Sequence, residues 1–421
     1  MFSVLRLLPS SSSALRRSNK AISVFNGKGI LMGKANGTSL ARYSTTFGYT
    51  QARALVYSKY GPPQDRLQLH SYSVPAACGS EILIRFLAAP INPSDINQIE
   101  GTYPTKPTFG IELGTTEPVA VGGNEGVAEV VSVGASVDGF TPGDLAIMRQ
   151  PAFGTWRSHA LTAADKLLKL PPAGDAAGAK NSAGLSAWMT AAATVSVNPC
   201  TAYRLLKDFG NDGRGLQPGD VFIQNGANSG AGRAAIQLGR LWGFKSINLV
   251  RPRVDSGDTQ ALKDELHALG ADEVLTYDEA ARDALAGDDV KARLPRAKLM
   301  LNCVGGKDAF KAHAFLADGA DVITYGGMSR SPMGVHAGNL IFKDLRYRGF
   351  WLSRWVATHP PEDRAAMVTE ILGLVRAGTF IDQPVLPTTW RPETPEEDLK
   401  GAVLHSMQPR QNVKQLFVFA E

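Results

Sequence analysis

The chain has 421 residues, of which 44% are hydrophobic and 20% are charged. This predicts a soluble globular protein of two or three domains, and no apolar run approaches the length of a membrane span. The formal net charge of +5 comes from residues 1–46, which hold seven basic and no acidic residues and leave −2 for the rest of the chain. The charge is therefore no argument for nucleic-acid binding, and no nucleic-acid partner is predicted.

The N-terminal segment, residues 1–46, is rich in Arg and Ser and contains no Asp or Glu. This composition is typical of an organelle transit peptide. Its apolar residues are scattered among basic ones, which disfavours a secretory signal with a compact apolar core. We predict a transit peptide that is cleaved near residues 41–46, with a disordered cytosolic tail as the alternative.

The stretch Gln51–Gly139 is dominated by short runs of β type, separated by Gly- and Pro-containing turns. These runs predict a compact β-rich domain and not an array of βαβ units. The stretch Leu170–Ala183 is rich in Ala, Gly and Pro and predicts a surface loop near a domain junction. The strand candidates of this region are Ala54–Tyr57, Glu81–Ala88, Gly126–Val133 and Asp144–Met148.

Residues 220–253 have the order strand, glycine turn, helix, strand. Val221–Gln224 and Ser246–Val250 are apolar runs, as expected of buried parallel strands, and apolar residues recur at helical spacing between them. The turn Asn225–Gly232 carries no charge. Such a turn lets the backbone approach a pyrophosphate and directs a helix N-terminus at it.

The glycines of this turn are Gly226, Gly230 and Gly232, a spacing that departs from G-x-G-x-x-G, so an ordinary βαβ unit remains an alternative. Arg251 and Arg253 follow the second strand, where many dinucleotide folds have an acidic residue for a ribose 2′-hydroxyl. Guanidinium groups instead suit a 2′-phosphate, because they offer forked donors to an anion. The pair predicts NADPH and not NADH, with a solvated loop as the alternative.

Two further buried-strand runs, Leu299–Val304 and Asp321–Tyr325, also lead into glycine pairs. In an open α/β sheet, ligands bind outside the C-terminal ends of the strands, so converging glycine turns favour a long cofactor there. The tail predicts helices over Pro360–Val375 and Glu396–Met407 and a final strand over Lys414–Phe419. We expect the C-terminal segment to return to the β-rich domain.

The predicted fold class is therefore α/β: a Rossmann-type doubly wound parallel sheet plus a β-rich catalytic domain that the C-terminal segment completes. The predicted division is residues 1–46 as transit peptide, 47–190 with 354–421 as catalytic domain, and 191–353 as NADPH-binding domain. Cys78, Cys200 and Cys303 are far apart in the chain and have no metal-ligand spacing. Neither a disulfide framework nor a Cys-based zinc site is predicted.

Seven segments of the chain match a known family. They are AAPINPSDINQIEGTYPTKP (88–107), GNEGVAEVVSVG (123–134), VNPCTAYRLL (197–206), NGANSGAGRAAIQLGR (225–240), INLVRPR (247–253), YGGM (325–328) and GFWLSRW (349–355). Together they resemble the medium-chain dehydrogenase/reductase superfamily and, within it, the mitochondrial trans-2-enoyl-thioester reductases of fatty acid synthesis. Many members of the superfamily bind zinc through a GHE segment and a four-cysteine lobe. Here the segment is Gly123-Asn124-Glu125 and the lobe is missing, which indicates the zinc-free branch and no metal.

The resemblance implies a GroES-like catalytic domain, a Rossmann domain, a homodimer and NADPH-dependent reduction of enoyl thioesters in the mitochondrial matrix. It assigns proton delivery to Tyr103, a residue whose hydroxyl keeps its proton at neutral pH. Asn92 and Asn97 are interpreted either as groups that orient Tyr103 or as Asx-turn residues. The cofactor contacts implied by the resemblance are Asn198, Asn228, Ser229, Gly230, Ala231, Arg251, Arg253, Tyr325, Gly326, Gly327, Met328, Phe350, Trp351, Leu352, Ser353 and Lys414.

The implied substrate is an acyl chain on acyl carrier protein or coenzyme A. Acyl carrier proteins are acidic, so the basic residues near the FWLS segment are a candidate docking surface, although the pattern favours a solvated face. These residues are Lys343, Arg346, Arg348 and Arg354. Two other functions remain open: a quinone oxidoreductase of the same superfamily, and a non-enzymatic NADPH-binding protein that keeps the fold.

Overall fold

The computed structural model describes residues 48–174, 184–286, 293–408 and 413–421. The predicted transit peptide lies outside the described residues, and so does most of the predicted loop Leu170–Ala183. Among the described residues, no helix combines the length and the apolar character needed to cross a bilayer.

The described strands fall into three sheets. They are β1 (Tyr49–Tyr57), β2 (Gln68–Pro75), β3 (Glu81–Pro90), β4 (Ala120–Val121), β5 (Val127–Val133), β6 (Leu145–Met148), β7 (His159–Ala163), β8 (Leu167–Lys169), β9 (Val221–Asn225), β10 (Lys245–Val250), β11 (Glu273–Thr276), β12 (Ala297–Asn302), β13 (Leu316–Thr324), β14 (Arg346–Gly349), β15 (Val385–Trp390) and β16 (Lys414–Phe419).

The α-helices of the same residues connect or flank these strands. They are α1 (Pro63–Arg66), α2 (Pro93–Ile99), α3 (Ala187–Thr194), α4 (Asn198–Asp208), α5 (Gly230–Leu241), α6 (Ser256–Ala268), α7 (Tyr277–Ala286), α8 (Ala337–Ile341), α9 (Leu352–Thr358), α10 (Pro361–Arg376) and α11 (Glu396–Ser406).

The largest parallel sheet has six strands in the order β11-β10-β9-β12-β13-β14. In chain order this is 3-2-1-4-5-6, the doubly wound order of dinucleotide-binding folds. All five residues of β9 are buried, as expected for a central strand covered on both faces. The order reverses between β9 and β12, and this reversal is where such folds bind their ligand. The Rossmann part of the predicted fold is confirmed.

The second large sheet runs β15-β16-β3-β5-β6-β8, and β7 also pairs with β3. Its pairs are antiparallel except for β15 with β16. The final strand β16 pairs with β3 through Leu416 opposite Pro90 and Val418 opposite Ala88. The prediction that the C-terminal segment completes the β-rich part is therefore confirmed. A smaller sheet, β2-β1-β4, completes the set.

The hydrophobic core joins the two large sheets. One cluster contains Val127 and Ile147 from the antiparallel sheet, Phe222 and Leu299 from the parallel sheet, and the fully buried Trp188 of α3. Burial of large side chains of this kind stabilises by about 1.5–3 kcal/mol each. The shared cluster fixes the C-terminal edge of the parallel sheet relative to the antiparallel sheet, and the candidate site lies along that edge.

Candidate active site

The predicted glycine turn follows β9. Gly226 has a φ of +62°, and a Cβ at this position would lie 2.6 Å from the Cys303 sulfur, so only glycine fits. Ser229 caps α5, with its hydroxyl accepting the Gly232 amide at 3.2 Å. The first turn of α5 has no acidic residue. Its positive N-terminal end is therefore suited to an anionic group such as a pyrophosphate.

A pair of buried asparagines holds the strand ends together. The Asn225 amide donates to Asn302 Oδ1 at 2.7 Å, and Asn225 Oδ1 accepts the Cys303 backbone amide at 2.9 Å. The Asn302 amide in turn donates to Thr324 Oγ1 at 3.1 Å. These bonds align the ends of β9, β12 and β13. Sequence reasoning missed both asparagines, although a polar residue that ends an otherwise apolar strand is a recognisable signal.

The segment after β13 contains the predicted cofactor residues Tyr325–Met328. The backbone amide of Tyr325 donates to the Asn302 carbonyl at 2.9 Å. Burial raises the pKa of the Tyr325 phenol well above its ordinary value, and its hydrogen bond with Ser229 opposes that rise. The structure thus brings this segment against the glycine turn. Gly327 and Met328 are exposed at the edge of the sheet.

Arg251 and Arg253 lie directly after β10. Arg251 is exposed, Arg253 is half-buried, and the Arg253 backbone amide is held by Thr259 Oγ1 at 2.8 Å. Strand β10 is four strand spacings from β14, or about 19 Å across the sheet. The arginines and the segment after β14 therefore mark opposite ends of one C-terminal sheet edge. Only an elongated ligand could contact both.

Tyr103 lies in a turn that follows α2. The backbone amides of Thr102 and Tyr103 both donate to the Asn97 carbonyl, at 2.8 and 3.0 Å. Asn97 therefore fixes the turn through its main-chain oxygen. The Asn92 backbone amide donates to the Asp95 carboxylate at 2.6 Å, as in a helix cap, whereas the Asn92 side chain points into a buried polar network.

Trp351 connects this turn to the parallel sheet. Its Nε1 donates to the Tyr103 hydroxyl oxygen at 2.9 Å, and the two rings meet edge-on with centroids 6.1 Å apart. Because an indole N–H can only donate, the phenol oxygen is the acceptor and its own proton remains available to a third group. Sequence reasoning named both residues but did not anticipate that they touch.

The other residues of the predicted FWLS segment have packing contacts. Phe350 meets Phe209 edge-on at 5.9 Å, so core packing accounts for its ring. Leu352 and Ser353 begin α9 and are half-buried. Trp351 is thus the residue of this segment that the described contacts connect to Tyr103.

A buried polar network lies beside the glycine turn. The Asn92 amide donates to the Glu125 carboxylate at 2.8 Å, and Asn92 Oδ1 accepts the Lys414 ammonium and, at 3.5 Å, the Asn198 amide. The Val197 backbone amide donates to Glu125 Oε1 at 2.7 Å. Lys414 is half-buried among carboxylates and is not a solvated surface lysine. The structure thus brings two predicted cofactor residues, Asn198 and Lys414, into one cluster.

The same network contains an amide where zinc-binding relatives of the superfamily have histidine. The Asn124 amide donates to Asp95 Oδ1 at 2.5 Å and to Gln98 Oε1 at 2.6 Å. Within the described parts of the chain, no three His, Cys, Asp or Glu side chains are grouped so as to hold a metal ion. The donor set here is suited to hydrogen bonding and not to metal ligation.

The side chain of Asn198, the first residue of α4, also lies close to the start of α5. A side chain placed on Gly230 would collide with the side-chain amide oxygen Oε1 of Gln383 and would lie 2.8 Å from the Asn198 side-chain nitrogen. Asn228 presents its backbone oxygen to Arg233 at 3.1 Å, and Ala231 is buried in the first turn of α5. The helix N-terminus is therefore surrounded by neutral amides, which suits a phosphate-bearing cofactor. Gln383 was not predicted from the sequence.

The chain is similar in sequence and fold to known proteins. Residues 79–172 match the family described as alcohol dehydrogenase GroES-like domain. The human mitochondrial enoyl-[acyl-carrier-protein] reductase is 39% identical over 381 residues, which cover 90% of this chain and 92% of that protein. The chain belongs to the mitochondrial enoyl-[acyl-carrier-protein] reductase family.

Two solved structures of these reductases superpose on most of the chain. The complex of Etr1p with NADP and crotonyl-CoA has a TM-score of 0.78 at 34% identity and covers 87% of this chain and 99% of that one. The mitochondrial Etr1p/Etr2p heterodimer from Candida tropicalis gives 0.77 at 33% identity, with the same coverage.

Buried charge gives this reductase a pH dependence of stability. Burial raises the pKa of Glu125 to about 8 and that of Asp95 to about 6, with Lys414 opposing both shifts. Burial also lowers the pKa of Lys414, and Glu125 opposes that shift. A carboxyl group whose pKa is higher in the folded than in the unfolded protein contributes its full stabilisation at pH values below the unfolded-state pKa. That contribution is lost as the pH rises through the folded-state pKa.

Glu125→Gln is therefore expected to reduce the loss of stability between pH 5 and pH 8. The measurement is the thermal unfolding midpoint in steps of pH, for this variant and for the wild type. Glu117→Gln, at an exposed position, is the control and should leave the slope unchanged. Parallel curves for the wild type and Glu125→Gln would contradict the assignment of the slope to this carboxyl.

Proposed function

We propose that this protein is a mitochondrial NADPH-dependent reductase that converts trans-2-enoyl thioesters into saturated acyl thioesters for fatty acid synthesis. The observation that carries this function is the Tyr103 hydroxyl, held by Trp351 at the sheet edge that also bears the glycine turn and Arg251. The human relative is an enoyl-[acyl-carrier-protein] reductase, and Etr1p binds NADP and crotonyl-CoA. The chemistry of the site matches both.

The cofactor is proposed to extend along the C-terminal edge of the parallel sheet. Arg251 and Arg253 would hold the 2′-phosphate, and the segment Asn228–Ala231 would hold the pyrophosphate at the start of α5. The nicotinamide end would then lie near β13 and β14, where Tyr103 is found. The residues proposed for that end are Asn198, Tyr325, Gly326, Gly327, Met328, Phe350, Trp351, Leu352, Ser353 and Lys414.

Bound NADPH supplies the hydride that adds to the β-carbon of the enoyl thioester. Negative charge then develops on the thioester oxygen and the α-carbon, and Tyr103 donates its proton to the α-carbon. The Trp351 N–H donates a hydrogen bond to the phenol oxygen. This hydrogen bond becomes stronger when the oxygen becomes charged, because hydrogen bonds to ionised acceptors are stronger than those to neutral ones. Solvent returns the proton to Tyr103 afterwards.

Removal of the phenol proton tests this role. Tyr103→Phe should lower kcat for crotonyl-CoA reduction by about 10²- to 10⁴-fold, the usual contribution of a general acid, with little change in the KM for NADPH. The measurement is NADPH oxidation followed by absorbance, and Tyr49→Phe, at an exposed tyrosine, is the matched control.

The two competing functions give other results in the same assay. Full activity of Tyr103→Phe would favour a quinone oxidoreductase, which has no strict need for a proton-donating tyrosine. No NADPH oxidation by the wild type with any enoyl thioester would favour a non-enzymatic NADPH-binding protein.

The choice of NADPH over NADH is assigned to the arginine pair. Arg251→Ala should raise the KM for NADPH by about 10- to 100-fold and leave the KM for NADH nearly unchanged, because only the phosphorylated ribose loses a charged hydrogen bond. Steady-state kinetics with both cofactors measure this difference. Arg282→Ala, at an exposed position on α7, is the control. An equal rise for both cofactors would assign Arg251 to another part of the nucleotide.

The basic residues near β14 divide into two groups. Lys343 is directed at the His313 carbonyl and Arg346 pairs with Asp344, so both have local partners. Arg348 lies over the Phe209 ring at 5.2 Å and Arg354 over the Trp351 ring at 5.8 Å, with both side chains exposed. We infer that Arg348 and Arg354 carry the docking of an acidic acyl carrier protein.

Reversal of charge at Arg348 or Arg354 tests this docking surface. Arg348→Glu should raise the KM for enoyl-acyl-carrier-protein by about 5- to 10-fold and that for the coenzyme A ester by less than about 2-fold. High salt should reduce the difference, because exposed charges are screened. Arg282→Glu, whose helix follows the opposite sheet edge, is the control. Equal effects on both substrates would indicate a contact with their shared phosphopantetheine.

We further propose a homodimer that pairs through the edge of the parallel sheet. Strand β14 is an edge strand of the parallel sheet. A neighbouring run of apolar side chains is exposed, and Phe342 among them is 81% exposed. Exposed apolar residues beside an open strand edge favour association with a second copy. The proposal includes a catalytic domain made of residues 47–190 and 354–421 and a cofactor domain made of residues 191–353. It also includes import into the mitochondrial matrix through residues 1–46.

A further inference from the structure

Gln98 closes the turn that carries Tyr103 from both ends. The Gly101 backbone amide donates to the Gln98 carbonyl at 3.0 Å, and the Gln98 side-chain amide donates to the Thr105 carbonyl at 3.0 Å. Gln98 is 3% exposed, so its side chain is shielded from bulk water. We propose that Gln98 is a positioning residue for proton transfer by Tyr103, a proposal that rests on the function given above.

One backbone donor sets the orientation of the Gln98 amide. The Ala152 backbone amide donates to Asn124 Oδ1 at 2.6 Å, so the Asn124 nitrogen must be the group that faces Gln98. That nitrogen donates to Gln98 Oε1 at 2.6 Å, which leaves the Gln98 nitrogen for the Thr105 carbonyl. The amide directions therefore follow from the network and are not free choices. A buried network with every member paired holds its atoms in one arrangement.

Main-chain oxygens hold the first half of the turn, and a side chain holds the second half. Asn97 holds the first half through its main-chain oxygen, which accepts the amides of Thr102 and Tyr103. The Gln98 side chain holds the second half, two residues beyond Tyr103. Loss of that bond leaves the Thr105 carbonyl without its partner and lets the chain on that side relax. The Tyr103 hydroxyl then shifts relative to Trp351, and small displacements of a reacting group reduce rates strongly.

Gln98→Met removes the amide and keeps a side chain of similar length. We expect kcat for crotonyl-CoA to fall by about 5- to 50-fold, while the KM values for NADPH and crotonyl-CoA stay within about 2-fold. The solvent deuterium isotope effect on kcat should increase, because proton delivery becomes the slower step. In the Tyr103→Phe background the same substitution should change kcat by less than about 2-fold, since the proton donor is already gone.

Gln415→Met is the matched control. Gln415 is also 3% exposed, and its side-chain amide contacts the His405 ring of α11 and not the turn that carries Tyr103. This variant should lower the unfolding midpoint by a similar amount, with kcat within about 2-fold of its parent in both backgrounds.

Two results would overturn the role of Gln98. One is an unchanged kcat in Gln98→Met, and the other is an equal fold loss with and without the Tyr103 hydroxyl, as a general structural defect would give. Full activity of Tyr103→Phe alone would instead remove the proposed function, so the two failures are distinguishable within one set of variants.

Discussion

The hydrogen bond from Trp351 to the Tyr103 hydroxyl is the contact on which the site depends. Tyr103 belongs to a turn beside the antiparallel sheet, and Trp351 follows the last strand of the parallel sheet. The bond therefore joins the proton donor to the sheet edge that holds the cofactor turn. Its direction also matters, because an indole N–H donates only and leaves the phenol proton for the substrate. The same contact fixes both the placement of the phenol and the direction of its hydrogen bond with Trp351.

The buried network behind this contact has an energetic cost. Glu125 and Asp95 are buried and Lys414 is half-buried, and burial disfavours the charged form of each. Mutual attraction and hydrogen bonds from Asn92 and the Val197 amide offset part of that cost. The network fixes the relative positions of the start of α4, the glycine turn and the helix before Tyr103.

Much of the fold could be predicted from local sequence pattern. The predicted apolar runs correspond to β3, β5, β9, β10 and β12 within a few residues. A buried or half-buried strand requires an apolar pattern, and that pattern is visible in the sequence. Strand β2 was missed because Gln68–Pro75 has as many polar as apolar residues, and its pairing with β1 over eight positions is a long-range feature. The short strands β7 and β8, of 5 and 3 residues, were missed because so few positions cannot show a period.

The sequence by itself determined which chemical groups are present: a glycine turn before an acid-free helix start, two arginines after the second strand, and a tyrosine in a turn. Local propensities and residue types suffice for these, because each is written in a few consecutive positions. Only the tertiary structure decided that Trp351 meets Tyr103 across 248 positions and that Lys414 reaches Asn92 across 322. Such contacts depend on how the two sheets pack over a shared core, and no short stretch of sequence contains that information.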